Sequence, residues 1–164
     1  MKVLHIISGL NQGGAEQVLY RLISFDRINE HVVISLTNKG TYGVLFEELG
    51  IEVHCLNMTR GTIKISGLLR LARLIKYIGP DVVHNVMYHA NLIGGIISRL
   101  LGIKAVVWVI HCANLDPNLA SLSTRISAKL CAYFSSWLPA LIVFDSKSSA
   151  NYHQRLGYNS DIFY

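Results

Sequence analysis

The chain has 164 residues, 51% of them apolar, and a formal net charge of +5. That length and apolar content support one well-filled core, exclude an intrinsically disordered chain and leave too little for two ordinary domains. The positive balance points to anionic partners: phosphorylated substrates, acidic lipids or nucleic acid. Cys55, Cys112 and Cys131 are far apart and odd in number, with no CxxC pair. They make no disulfide framework, and a reducing, cytoplasmic setting is expected. The opening Met1 to Ser8 is too short and too quickly polar for a signal peptide. The most apolar region, Leu92 to Ile110, is interrupted by Arg99, Lys104 and a turn at Gly102, so no membrane span is expected there.

The first strand is expected over Val3–Ile7, a β-branched run. A glycine-rich turn follows, and Ala15, Val18, Leu19, Leu22 and Ile23 then keep the spacing of one helical face. Val32–Leu36 and Ile51–Leu56 read as the second and third strands. Leu68, Leu71, Ala72, Ile75 and Ile78 mark a helix that Pro80 stops. Val82–Val86 is the fourth strand. The helix from Asn91 to Leu101 is apolar nearly all round and should lie deep. Ala105–Ile110 is the fifth strand, Ser123 to Leu138 another amphipathic helix, and Leu141–Phe144 the sixth strand. The last helix runs from Ser146, a capping residue, to Leu156 and ends at Gly157. Strands alternating with helices predict an α/β, Rossmann-like three-layer domain with a mainly parallel sheet, ordered 3-2-1-4-5-6. Ligands in such sheets bind at the carboxyl ends of strands, so the residues after each strand are the functional candidates.

After the first strand comes Ser8-Gly9-Leu10-Asn11-Gln12-Gly13-Gly14. A dinucleotide fingerprint needs G-x-G-x-x-G, and here Asn11 stands where the second glycine belongs. The acidic ribose partner expected after the second strand is missing as well, since Leu36 is followed by Thr37-Asn38-Lys39-Gly40. Nicotinamide binding is therefore not expected. Gly13 and Gly14 still offer bare N–H groups at a helix N-terminus, which suits an anion; a plain tight turn is the alternative. After the fourth strand comes His84-Asn85-Val86-Met87-Tyr88-His89, and after the fifth His111-Cys112-Ala113-Asn114. A histidine at a strand's carboxyl end can hydrogen-bond a sugar hydroxyl or phosphate. His84, His89 and His111 lack a cysteine or acid at ligand spacing, so no metal is expected. His111 and Cys112 are adjacent and point to opposite faces, which argues against a nucleophilic pair.

Three stretches then carry a resemblance. "SGLNQGGAEQ" resembles the opening turn of glycosyltransferase family 4, retaining enzymes of the GT-B fold. "PDVVHNVMYHANLIGGIISRLLGIKAVVWVIHCAN" is similar to their next signature, in which a Pro-Asp-hydrophobic-His strand precedes a small helix and the following strand ends in His. "LIVFDSKSSANYHQRLGY" resembles the last strand and helix of the same half. The match spans the chain in order. The resemblance implies the acceptor-side, N-terminal half of a GT-B enzyme, with residues 1–164 as its single Rossmann-like domain. It implies that Gly13 and Gly14 approach the donor phosphates and that His111, as the catalytic residue, lies near the transferred sugar. Asn11, His84, His89, Asn114 and Ser146 are then acceptor or cleft residues, and Glu16 acts locally in the first helical turn. The resemblance also implies a nucleotide-sugar as substrate, with no cofactor or metal expected.

No paired-glutamate motif and no basic pair for the leaving phosphates occurs in the sequence, so the chain is expected to bind donor weakly and not to turn over alone. Arg60, Lys64, Arg70, Arg73, Lys76, Arg99 and Lys104 crowd the stretch from Val53 to Leu115, against one acid, Asp81. Arg70, Arg73 and Lys76 fall on one helix face, opposite Leu68, Leu71 and Ile75. That face can rest on an anionic membrane, which suits a glycan or lipid-linked acceptor at the inner membrane face; a solvated helix face is the plainer reading. No reading motif or aromatic platform supports nucleic acid. A stand-alone sugar-phosphate or partner-binding module, or half of a GT-B nucleotide-sugar epimerase, are the rival readings.

Overall fold

The computed structural model describes residues 1–59, 64–112, 115–116 and 120–159. Elements alternate throughout: β1 (Lys2–Ile7), α1 (Gly14–Phe25), β2 (Glu30–Ser35), α2 (Gly40–Glu48), β3 (Glu52–Cys55), α3 (Ile65–Ile78), β4 (Val82–Val86), α4 (Tyr88–Leu100), β5 (Val106–Ile110), α5 (Leu122–Phe134), β6 (Leu141–Phe144) and α6 (Lys147–Arg155). The six strands form one sheet in the order β3-β2-β1-β4-β5-β6. Every neighbouring pair is parallel, with Ile7 opposite both Ser35 and Val86. The sheet and its order are those expected from the sequence.

Two layers of helices cover the sheet. On one face Leu4, Ile6, Val32, Ile34 and Val83 meet Leu71 and Ile75 of α3 and Ile93 and Ile97 of α4. The same layer continues where Trp108, Ile110 and Ile142 meet α4 and the small residues Ala128, Cys131 and Ala132 of α5. On the other face Ile7, Val33 and Val86 meet Leu19 and Ile23 of α1 and Phe46 of α2. Burying each large aliphatic side chain is worth roughly 1.5–3 kcal/mol, so these clusters fix which way each helix lies.

Helix α4 sinks between α3 and α5 because it carries Gly94 and Gly95. A Cβ at Gly95 would stand 2.8 Å from Trp108 Nε1, and one at Gly94 would meet the Asn85 side chain. Helix α3 ends at Gly79, whose φ of 60° is the left-handed C-cap, immediately before Pro80. Three helices depart from the sequence reading, α4 by starting at Tyr88 instead of Asn91. Helix α2 was not expected, because Gly40 and Gly43 interrupt a short run whose apolar residues have no helical period. Gly40 is required there: its φ is 53°, and a Cβ would strike the Leu10 carbonyl that accepts from Tyr42 N at 2.9 Å. Helix α5 stops at Phe134, not Leu138, where the Ser135 hydroxyl bonds back to Ala132 O at 2.7 Å.

Candidate functional site

The carboxyl ends of the strands open on a cleft of about 1070 Å³. Ser8 and Gly9 after β1, Gly14 and Glu16 of α1, His89 of α4, and His111 after β5 all line it. Its far wall is apolar, with Leu92 and Ile93 of α4 facing Ile126 and Leu130 of α5.

Helix α1 begins at Gly14, with Gly13 as N-cap and no side-chain cap. Gly13 has φ −174°, an extended conformation open to any residue. The need for glycine is thus not conformational. A Cβ on Gly13 would meet the Glu16 carboxylate, which folds back over the N-cap as in a capping box. A Cβ on Gly14 would meet no protein atom within 4 Å. The space at Gly14 is open and belongs to the cleft, beside the positive end of the α1 dipole. Glu16 sets a negative charge at that same end, so an incoming anion meets a carboxylate that must turn aside.

His89 stands in the first turn of α4 rather than in a loop, because the helix starts three residues earlier than expected. Its Nε2 is buried with no hydrogen-bond partner. Burial lowers the pKa of His89. Burial lowers that of His111 as well, while the Asp145 charge, also on the cleft, acts the other way. Both imidazoles are therefore biased toward the neutral form, in which one ring nitrogen donates and the other accepts. Met87, at the N-cap of α4, has φ 73°. That left-handed conformation is strained for a side chain of this kind and recurs at functional sites. Behind it Tyr88 donates from its hydroxyl to His153 Nε2 at 2.7 Å, and His153 Nδ1 donates to Ser149 O at 2.7 Å. Ser149 Oγ donates in turn to Cys112 O at 2.6 Å. This chain ties α6 and α4 to the backbone just after His111. Ser8, Tyr88 and Asp145 were not singled out in the sequence; only the positions of Ser8 and Asp145 directly after β1 and β6, and of Tyr88 two residues after β4, mark them.

The other expected site residues lie elsewhere. Asn11 borders a second, polar hollow of about 560 Å³, with Thr37, Asn38 and Asn57. Its Nδ2 donates to Asn38 Oδ1 at 3.4 Å. Ser146 is exposed and caps α6, its Oγ accepting from Ser149 N at 3.1 Å. Asn114 and Arg60 lie outside the described residues. Arg70, Arg73 and Lys76 are exposed along α3, away from the cleft lining.

His84 requires a correction. It is the third residue of β4, not at the strand's carboxyl end, and it does not line the cleft. The register sets His5 beside His84 and Val3 beside His31. All three rings share one sheet face. His5 Nδ1 is 2.8 Å from His84 Nδ1, His5 Nε2 is 2.9 Å from His31 Nδ1, and His31 Nε2 is 3.3 Å from Asp26 Oδ2. Asp26 is held down to about 2 by hydrogen bonds from the Asn29 side chain and the Ile28 backbone, so it only accepts. With all rings neutral, each contact has one proton: His84 Nδ1–H donates to His5, His5 Nε2–H donates to His31, and His31 Nε2–H faces Asp26. Among the described residues no group of three or more His, Cys, Asp or Glu is arranged to hold a metal ion. No helix of the described residues is long and apolar enough to cross a membrane.

The model of Glycosyltransferase Family 4 matches residues 12–163, and the chain belongs to that family. Its fold is a Rossmann-like half of the GT-B architecture. The Anabaena protein HepE, solved in complex with UDP-glucose, superposes with a TM-score of 0.80 at 19% identity, over 100% of this chain and 43% of that one. The UDP-GlcNAc 2-epimerase of Methanocaldococcus jannaschii gives 0.63 at 15% identity, over 100% of this chain and 45% of its own. MurG of Acinetobacter baumannii gives 0.60 at 14%, over 99% and 45%. The chain thus spans less than half the length of these proteins. No curated protein matches it in sequence.

Proposed function

We propose that this chain is the acceptor-side domain of a retaining glycosyltransferase that moves a sugar from a nucleotide-sugar to a glycan or lipid-linked acceptor. The observation that carries the reading is the open space at Gly14, on the same cleft as His111. A glycine whose missing side chain would touch no protein atom, at the positive end of a helix, leaves room for a ligand, and an anionic one is favoured there. HepE, the family 4 match and the resemblance in three sequence motifs support a nucleoside diphosphate sugar as that ligand. His111, biased toward neutrality, donates a hydrogen bond to the transferred sugar. The unpaired nitrogen of His89 is a second group available to a hydroxyl.

Departure of a diphosphate needs fixed positive charge. Neither Gly14 nor the histidines supply it, so the chemistry requires a second, nucleotide-gripping half, and residues 1–164 alone bind donor weakly and do not transfer. The outward arginines of α3 draw the enzyme to the anionic inner face of the membrane.

The test uses the whole protein that carries this chain, with a panel of nucleotide-sugars and product analysis. Transfer that His111→Ala slows more in kcat than in donor KM fits the reading. Epimerised nucleotide-sugar as the only product would replace it with the epimerase reading. Transfer by residues 1–164 alone would refute the two-half requirement.

A further inference from the structure

Helix α5 is inside out. Its small residues Ser127, Ala128, Cys131 and Ala132 are buried, while Leu122, Ile126, Leu130 and Tyr133 are 41–74% exposed. The outward residues recur at spacings of four, four and three, which is one face of the helix. Trp137, in the turn directly after α5, is 59% exposed. A water-facing helix would carry its large apolar side chains inward. Here the inward side has no room for them, since it packs on sunken α4 and Trp108.

We propose that this face of α5 docks on an anionic lipid surface, with its apolar residues in the acyl boundary and Tyr133 and Trp137 at headgroup level. The charges around it fit. Arg125 and Lys129 flank the stripe on α5, and the two acids that share the cleft with Ile126 and Leu130, Glu16 and Asp145, belong to α1 and to the turn after β6. Arg99 lies at the foot of Trp137, donating to Leu138 O at 2.7 Å and to Trp137 O at 3.0 Å. Helices α3, α4 and α5 are neighbours in one layer, so Arg70, Arg73 and Lys76 belong to the same helical layer. Basic side chains beside an apolar, aromatic-ended face describe an interfacial helix. A second copy of the chain is a poor occupant. A strip roughly 20 Å long and 10 Å wide offers about 200 Å², against about 800 Å² per partner in a stable dimer.

The docking face is continuous with the cleft. Ile126 and Leu130 belong to both. Docking through α5 therefore brings the mouth of the cleft to the lipid surface, whereas α3 supplies attraction without insertion. This assigns insertion to α5 and goes beyond the basic face of α3.

The experiment takes the whole protein with vesicles of phosphatidylcholine, with and without phosphatidylglycerol. Trp137 is the reporter, read as the difference from a Trp137→Phe blank, which subtracts the fully buried Trp108 and any tryptophan outside residues 1–164. The expected result is co-sedimentation with anionic vesicles and a blue shift of Trp137 that acyl-brominated lipid quenches. Leu122→Ser with Tyr133→Ser should weaken vesicle affinity about tenfold. Both side chains are at least 70% exposed and neither lines the cleft, so circular dichroism and nucleotide-sugar binding should not change. Arg70→Glu with Arg73→Glu should also weaken binding but leave the bound fraction blue-shifted. Unchanged affinity in the double serine variant, or vesicle binding without a Trp137 shift, overturns the proposal. So does a dimer in sedimentation equilibrium that the serine variant dissociates. Nucleotide-sugar binding, read in the same preparations, reports on the proposed enzyme independently.

Discussion

Replacing His84 by glutamine should make the protein measurably less sensitive to acid. Burial pushes the His84 pKa down to about 4, with smaller contributions from His111 and His31. In the unfolded chain it returns to about 6.5. Below 6.5 the unfolded state therefore holds a proton that the folded state refuses. Stability contributed by His84 is fully present above 6.5 and is lost as pH falls toward 4. The loss is about 1.4 kcal/mol per pH unit, so about 3 kcal/mol across the window at most, because His84 keeps part of its surface in water. His5, whose pKa is lowered by burial and then by its histidine neighbours, adds in the same direction. A second proton on the chain would also place hydrogens on both nitrogens of a 2.8 Å contact. The amide of His84→Gln can still donate to His5 but cannot titrate. Urea unfolding at pH 7.5, 5.5 and 4.0 gives the comparison. The wild-type loss from 7.5 to 4.0 should exceed that of His84→Gln by about 2–3 kcal/mol. His89 and His153 titrate in both proteins and cancel in the difference. Identical pH slopes would refute the reasoning.

Other expectations follow from particular contacts. Gly14→Val should fold normally, since no protein atom lies within 4 Å of a Cβ there, and on the proposed reading should raise donor KM at least tenfold in the whole protein; unchanged donor binding would empty the site of its proposed role. Gly95→Ala should lower stability by about 1–3 kcal/mol in thermal or urea unfolding, because its methyl would press on Trp108. Tyr88→Phe leaves His153 Nε2 without its donor and should cost about 1–3 kcal/mol, read by the same unfolding assay.

The six strands were legible because a parallel sheet buried on both faces asks for continuous β-branched runs, and the chain has six. Helix α2 was not legible, because its glycines serve contacts with Leu10 that no local pattern reveals. His84 was misplaced for a related reason. Its partners His5 and His31 are distant in sequence and meet only through strand register, so the signal exists only once the strand order is applied to residue parity. Glu16 was read as a local dipole partner, and its return over Gly13 adds competition at the glycine turn. The amphipathic pattern of α5 was visible, but periodicity alone does not say which stripe faces inward. The small residues decided that by fitting against α4.

The central position of β1 has a consequence for how the chain is made. Its contact with β4 joins His5 to a residue 79 positions later, whereas β2 and β3 are complete once Cys55 is synthesised. At about 5–20 residues per second, the stretch from Cys55 to Val86 takes roughly 2–6 s to appear. If β1, β2 and β3 pair in that interval, β1 is an open edge, with Leu4 and Ile6 not yet covered and β4, the partner of that edge, not yet made. A chain that folds as it emerges would therefore expose a sticky edge before β4 is made. Its yield in cells should depend on how fast translation runs between β3 and β4, and on chaperones that bind a naked strand edge.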